Sequence, residues 1–498
     1  MGRVLNRALA WNGPLITLLA LALALIAGLL LVRLTPLGGV IFVVLSVGGV
    51  ATLIEPLAGL SLALFLGPLW AYLRAEVPQV PAQIAQVFVA LALAVWLGRG
   101  LARRNLRFPH PPLLLPLLIF LGVALVSLWD AVELPIYGVP EFSKWVQILL
   151  LFLFVSDTLT LRNLPWLLGA LLVTGLFQAG VGLWQFGLRG EGPEHFAIPV
   201  LGERFYRAYG TFEQPNPYAG FLGLMLPLAL GVLWGWVSKR VNEERVNGER
   251  ADEGPRLLLP CLLIYFIPSA AMLAALGMSW SRGAWLGFGA AALVMAVALP
   301  RKTHWGLLLV AVLVIGGLGL HALGLVPPSV VARLTDFVQD VRFEDVRGVG
   351  INDANFAVVE RLAHWQAALD MVRYNLWTGV GFGCYEPAYR NFALINWPIA
   401  LGHAHNYYLN VAAETGIIGL AAYLFLWGAV FWQTWRVTRR ADGLLRGIAI
   451  GLLGTWTHLS VHHFLDNLYV NNVHLYVGVL MGLLAWLARS CPAVRSRL

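Results

Sequence analysis

Apolar runs of roughly 17–25 residues, the length that crosses a bilayer core, recur along almost the whole chain. This feature limits the possible fold more than any other. A membrane is spanned only by structures that satisfy every backbone N–H and C=O internally, which leaves helices and closed barrels. The alternating apolar and polar residues of a barrel strand are missing, so the spanning elements are expected to be helices. Composition agrees, because only 12% of the 498 residues are charged, about half the share a soluble domain uses to clothe its surface. The expected fold is all-α, a polytopic transmembrane helical bundle of 12–14 spans. The range arises because 37–54 and 57–73 are short enough to form a re-entrant pair. Residues Pro14–Val32 follow Arg3 and Arg7 as in a signal peptide. They lack a small-residue cleavage site and another span comes close behind, so they are read as a first anchor.

The expected division is 1–186, N-terminal spans; 187–213, an outer loop; 214–325, further spans; 326–408, a long outer loop; and 409–498, C-terminal spans. Net charge is +8, which could point to nucleic acid. Most of the basic residues instead flank apolar segments, where Lys and Arg set orientation and meet lipid headgroups. No nucleic-acid partner is expected. With the N-terminus in the cytoplasm, 21 of the 34 Lys and Arg fall in cytoplasmic connections. Only Arg33, Arg74, Lys144 and Arg282 then lie in short outer ones. Both termini are therefore expected inside and the two long loops outside. Cys261, Cys384 and Cys491 fall in a span, an outer loop and the cytoplasmic tail, so no internal disulfide is expected. Within the longer loop, Val359, Leu362, Ala363, Gln366, Leu369 and Val372 recur at helical spacing. They predict an amphipathic helix over Phe356–Tyr374, capped by Asp353 or Asn355 and lying along the membrane surface over the bundle mouth.

The unusual polar residues collect in three outer stretches. The first is Arg207-Ala-Tyr-Gly-Thr-Phe-Glu-Gln-Pro-Asn216, and the second is Ser279-Trp-Ser-Arg-Gly-Ala-Trp-Leu286. The third runs from Arg361 through Gly379-Val-Gly-Phe-Gly383 to His403-Ala-His-Asn-Tyr-Tyr-Leu409 and on to Glu414-Thr-Gly-Ile-Ile-Gly-Leu420. An arginine as deep in an apolar hairpin as Arg282 needs an anionic partner unless it snorkels to the headgroups. Arg207 is either a solvated loop residue or a second anion ligand. His405 could accept a proton near neutral pH, or simply be a hydrogen-bonded loop histidine. His403, two residues earlier, would point the same way in an extended loop and is an alternative base, an orienter or a surface residue. Glu414 could orient a histidine, pair with an arginine, or stand as a helix-start carboxylate.

Gly379–Gly383 follows an amphipathic helix, so a dinucleotide loop is excluded and a tight turn expected. His458 and His462 stand at a spacing that can hold zinc, in a connection that also carries His463, Asp466 and His474. No His-Glu-x-x-His and no Asp-x-Asp occurs, so no metal is expected and an anion bound at this face would be neutralised by arginine.

Taken in order, the Arg–Gly-Thr-Phe–Pro-Asn, Ser-Arg-Gly-Ala-Trp, Gly-Val-Gly and His-Asn-x-Tyr-Leu…Glu-x-Gly-Ile-Ile-Gly stretches resemble the O-antigen ligase and polymerase family, from about residue 205 to 425. Leu376 departs from the proline usual before the glycine turn, and the first two hundred residues match only in hydropathy. The resemblance implies a membrane glycosyltransferase of lipopolysaccharide or polysaccharide biosynthesis in the bacterial inner membrane, acting on its extracytoplasmic face. It implies an undecaprenyl-diphosphate-linked glycan donor, a lipid A core or glycan acceptor, contact with membrane lipids and no cofactor. Arg207 and Arg282 would hold the diphosphate and His405 would take the acceptor proton. Arg361, His403, Asn406, Tyr408 and Glu414 would contact substrate. A repeat-unit polymerase of the same family and a transporter of lipid-linked glycans are the alternatives; transporters tend to place ionisable residues at the bilayer midplane.

Overall fold

The computed structural model describes residues 25, 28, 35–77, 80–81, 83–104, 110–200, 203–247, 254–335, 345–352 and 355–491. The expected first anchor lies almost wholly outside them, as does Asp353. The described chain is an all-α polytopic membrane protein. Its helices are α1 Pro36–Ile54, α2 Pro56–Leu66, α3 Trp70–Glu76, α4 Ile84–Ala102, α5 Leu114–Ser127, α6 Val139–Thr158, α7 Leu164–Leu183, α8 Pro215–Asn247 and α9 Gly254–Met278. Then follow α10 Arg282–Ala298, α11 Thr303–Ala322, α12 Pro328–Thr335, α13 Phe356–Tyr374, α14 Tyr385–Tyr389, α15 Tyr407–Arg440, α16 Gly443–His462 and α17 Val473–Ser490. Nine helices among the described residues are long and apolar enough to cross a membrane, and four shorter apolar ones accompany them.

Local chemistry sets the boundaries. Thr35 and Glu55 each accept a backbone N–H from the first turn of α1 and α2, with Pro36 and Pro56 at the first helical position. Pro56 starts α2 directly after α1, and the chain then continues through α3, so residues 56–76 form one apolar span. At the end of the bundle expected to be cytoplasmic, arginines tie off helix C-termini. Arg446 donates to Ala298 and Leu299 carbonyls at 3.0 and 2.8 Å, and Arg439 to Pro300 at 2.8 Å.

The centre is built on α16, which packs on α8 and α10, while α17 packs on α6 and α15 on α5. The α8–α16 crossing is a meeting of glycines: Gly231 and Gly235 face Gly447 and Gly451, each pair four residues apart. A Cβ on Gly447 would lie 2.3 Å from the Gly231 carbonyl oxygen. Small residues at this spacing let two backbones touch where water supplies no driving force for association. Gly447→Ala is expected to cost about 1–3 kcal/mol through overpacking, read as a lower unfolding temperature in detergent. Gly169→Ala, where a Cβ meets nothing within 4 Å, should leave that temperature unchanged.

Two departures from the sequence reading concern the loops. The 187–213 loop contains a two-stranded antiparallel hairpin, Ala197–Val200 paired with Glu203–Tyr206. The amphipathic helix occupies the predicted Phe356–Tyr374, but its buried face is rotated. Val359, Leu362 and Ala363 are buried with Ala367, Ala368 and Met371, whereas Leu369 is exposed. The helix packs on α15 as well as covering the bundle end, and that contact selects the alanine face. Asn355 stands at its N-cap position, but its side chain binds back to the preceding loop at Asn352 and Gly350.

Candidate active site

Two features of the backbone shape the polar end of the bundle. Helix α15 is interrupted at Gly416, whose φ of 67° is open to glycine and costly for other residues. The break receives the Gly379–Gly383 turn edge-on. Val380 N–H donates to Ala413 O at 2.9 Å, Gly381 N–H to Glu414 O at 3.0 Å, and Ile417 N–H to Leu376 O at 2.9 Å. A Cβ on Gly416 would lie 2.2 Å from the Trp377 carbonyl oxygen, so the fit is specific to glycine. This junction explains Glu414, whose carboxylate accepts the Tyr385 N–H at 3.2 Å and anchors the turn rather than facing the arginines.

The second feature is the Ser279–Ser281 turn between α9 and α10, with Trp280 in the left-handed region at φ 54°. It presents successive carbonyls to two arginines. Arg207 Nε donates to Ser279 O at 2.9 Å, and Arg333 Nη2 donates to Trp280 O at 3.1 Å. Arg207 also reaches Asn216 Oδ1 at 3.3 Å.

These residues line a cavity of about 300 Å³, with Arg282 from the start of α10, Arg361 from α13 and Arg333 from α12. Ser281, Trp365 and His462 complete its polar wall, and Leu286, Leu362 and Leu465 supply apolar surface. Four guanidiniums around one small cavity repel each other. Burial, followed by the charges of Arg333, Arg361 and Arg282, lowers the Arg207 guanidinium to about 9, which leaves it charged at neutral pH. Burial lowers Arg361 as well, opposed by the charge of Asp466. Ser281 Oγ, Trp365 Nε1, Arg361 Nε and His462 Nδ1 are buried without a hydrogen-bond partner among the described residues. Such donors and charges match a multiply charged anion, and Arg suits phosphate oxygens by its planar fork.

His405 does not line this cavity. It lies across Asp466, the carboxylate whose charge acts on Arg361, in a group of three side chains. His405 Nδ1 stands 3.9 Å and His403 Nε2 3.6 Å from Asp466 Oδ1. Both separations exceed hydrogen-bond length and act as charge contacts. His405 itself is held at φ 52°, an uncommon conformation of the kind that gathers at functional sites. Neither of its ring nitrogens has a hydrogen-bond partner among the described residues. His403 Nδ1 accepts the His405 N–H at 3.0 Å, so in its neutral form the His403 proton sits on Nε2, toward Asp466.

The ligand atoms of His403, His405 and Asp466 lie within 4.8 Å of one another, a separation that could hold a metal ion. A neutral His403 with Nδ1 already accepting has no second lone pair for a metal, so the arrangement suits donation to the carboxylate better. Burial alone would raise the Asp466 carboxyl. The approach of His405, then the charges of His403 and His405, outweigh it and hold the group below the ordinary carboxylate range.

Burial holds His403 down at about 4 despite Asp466, and holds His364, stacked on Tyr389 beside His405, at about 3. Unfolded histidine titrates near 6.5. The unfolded chain therefore takes up these protons first, and the stability they contribute is complete above about 6.5 and falls as pH drops toward 4. The unfolding temperature of the detergent-solubilised protein is expected to decline across that window, and a flat profile would contradict these burials.

Of the expected site residues, the structure brings Arg207, Arg282 and Arg361 to one cavity, with His405 and His403 beside it across Asp466. It gives Asn406 and Tyr408 local tasks instead. Asn406 caps α15 by accepting the Leu409 N–H at 3.1 Å. Tyr408 donates to Ser460 O at 2.9 Å and packs on Phe464. His458 is packed between Gly223 and Gly287, which leaves His462 alone of the zinc-spaced pair in the cavity. Sequence reasoning missed Arg333, saw Asp466 only as a member of a polar connection, and weighed His462 only as half of a zinc-spaced pair with His458.

Residues 267–424 match the family model described as O-Antigen ligase. Over this stretch the chain is similar to the O-antigen ligase family. The matched region holds Arg282, Arg333, Arg361, His403 and His405, whereas Arg207, His462 and Asp466 come from outside it. No curated protein matches the chain. O-antigen ligase family members are membrane enzymes of glycan biosynthesis.

Proposed function

We propose that the protein transfers a glycan from a polyprenyl-diphosphate carrier to an acceptor hydroxyl, without a metal and with inversion at the anomeric carbon. Transfer occurs on the extracytoplasmic face of a bacterial inner membrane, with both termini cytoplasmic. Undecaprenyl diphosphate is the carrier, and lipid A core or another glycan the acceptor. The observation that carries this reading is the cavity of four arginines set beside a histidine whose ring nitrogens have no hydrogen-bond partner among the described residues.

Arg207 and Arg282 hold the diphosphate, and Arg333 and Arg361 add charge around it. His405 Nδ1–H faces Asp466, which leaves the Nε2 lone pair for the acceptor. The acceptor oxygen attacks the anomeric carbon as its proton passes to Nε2. The bond from that carbon to the phosphate oxygen breaks, and its electron pair leaves on the diphosphate. Charge grows on the leaving group during this step, where fixed donors in a dry site act most strongly. Asp466 orients the imidazole and offsets the positive charge it acquires, as His403 steadies Asp466 from the other side. The gathering of these charges at one end of the bundle, rather than at mid-membrane, favours a transferase over a transporter.

The test is a reaction of the purified protein with undecaprenyl-diphosphate glycan and acceptor, followed by mass spectrometry. Glycosylated acceptor and free carrier diphosphate are expected in equal amounts, with full activity in EDTA. Absence of transfer would overturn the reading, and abolition by EDTA would overturn its metal-independent form.

A further inference from the structure

Helix α13 serves two polar spaces with neighbouring stripes of its surface. Ala357, Val358, Arg361, Leu362 and Trp365 line the arginine cavity. Glu360 and His364, four residues apart and so on one stripe, lie beside that face and line no part of the cavity. His364 is buried, and its ring stands edge-on to His405 with 5.6 Å between centroids. Glu360 comes one helical turn earlier, about 6 Å along the axis, and is only half-buried. It therefore stands on the solvent side of the histidine cluster.

The other polar groups around His405 are already committed. Asp466 lies between the two imidazoles, and His403 Nδ1 accepts the His405 N–H. His364 Nδ1 meets Tyr385 Oη at 3.1 Å, and Tyr389 Oη donates to Trp397 O at 2.9 Å. Glu360 has neither a hydrogen bond nor an ion pair among the described residues, although its charge acts on both His405 and Tyr389. Burial raises its carboxyl, and the charges of His405 and Arg361 draw it back down. An uncommitted carboxylate thus stands beside an imidazole that has no hydrogen-bond partner of its own among the described residues.

Chemistry limits what this carboxylate can take. When ionised it only accepts hydrogen bonds, and it repels a diphosphate, which the four arginines attract. A hydroxyl donor meets both conditions. The hydroxyls that come nearest when an acceptor sugar reaches His405 are those beside the attacking one.

We infer that Glu360 determines acceptor specificity by accepting a hydrogen bond from the sugar hydroxyl next to the one that attacks, which holds the attacking oxygen at His405. The inference rests on the transferase reading above. The competing roles for Glu360 are electrostatic support of the His405 imidazole and a purely structural place on α13.

Wild type and Glu360→Ala are compared with the undecaprenyl-diphosphate glycan donor on a lipid A core acceptor and on monodeoxy analogues of its terminal sugar. The variant is expected to raise the acceptor KM about tenfold, in keeping with loss of one hydrogen bond to a charged group. Its kcat, donor KM and unfolding temperature should stay near wild type. Removing the neighbouring hydroxyl should raise the acceptor KM by a similar factor in wild type and add no further loss in Glu360→Ala, because the two partners belong to one bond. An unchanged acceptor KM in the variant overturns the inference. So does a fall in kcat alone, which support of His405 would give, and so does a deoxy penalty of equal size in both proteins. Wild-type protein that transfers to neither the parent acceptor nor any analogue would instead overturn the transferase reading itself.

Discussion

His405→Ala is expected to lower the rate of glycan transfer roughly 10²–10⁴-fold, the range that loss of a positioned general base produces, while donor affinity stays near that of the wild type. The separation follows from the geometry. His405 stands outside the arginine cavity and meets it only across Asp466, so removing the imidazole leaves the anion site in place. The measurement is kcat alongside direct donor binding. Asp466→Asn keeps the size of the side chain but removes the charge facing both imidazoles. It should lower kcat without weakening donor binding, as a positioning residue would. Full activity of His405→Ala would remove the base role.

Arg282→Ala is expected to lower kcat roughly 10²–10³-fold, comparable with loss of one oriented donor from an oxyanion site, and to weaken donor binding as well. Arg282→Lys is not expected to restore the rate. A lysine keeps the charge but loses the planar fork that meets two phosphate oxygens together. Arg207 serves as an internal comparison, because two of its donors are already committed to Ser279 O and Asn216 Oδ1. Arg207→Ala therefore removes both a ligand and a tie between the hairpin loop and the α9–α10 turn. It should cost thermal stability in addition to activity. Equal kcat in Arg282→Ala and wild type would show that the diphosphate lies elsewhere.

The spans were legible because the bilayer imposes a length, and Pro36 and Pro56 mark where two of them start. The hairpin at Ala197–Tyr206 was not, since four-residue strands, one carrying Pro199, leave almost no periodic signal. Helix α13 was placed to the residue, but its buried face was misjudged. Packing on α15 favoured small alanines over Leu369, and no local property of the sequence encodes that partner.

The site shows the same division. Arg282 was conspicuous because a charge beside two spans has to be explained. Arg333 was not, since a short helix in a polar loop makes any arginine look solvated. Glu414, Asn406 and Tyr408 sit in the most distinctive motif, yet their visible bonds shape the backbone that presents His405. A motif marks residues that must be present without separating those that meet substrate from those that build the turn. Asp466 is sixty-one positions after His405 in the chain and joins it only through the folding of α15 against α16. Only tertiary structure could bring that pair together.

The central claim is that one diphosphate sits among the four arginines with its glycosidic carbon turned toward His405. A structure of the protein bound to a non-transferable phosphonate analogue of the lipid-linked glycan tests it most directly. The account predicts phosphate oxygens within hydrogen-bond distance of Arg207 and Arg282, the first sugar across from Asp466, and His405 Nε2 facing the anomeric carbon. A diphosphate bound away from the Arg207–Arg282 cavity, or a sugar on the far side of it from His405, would contradict the account.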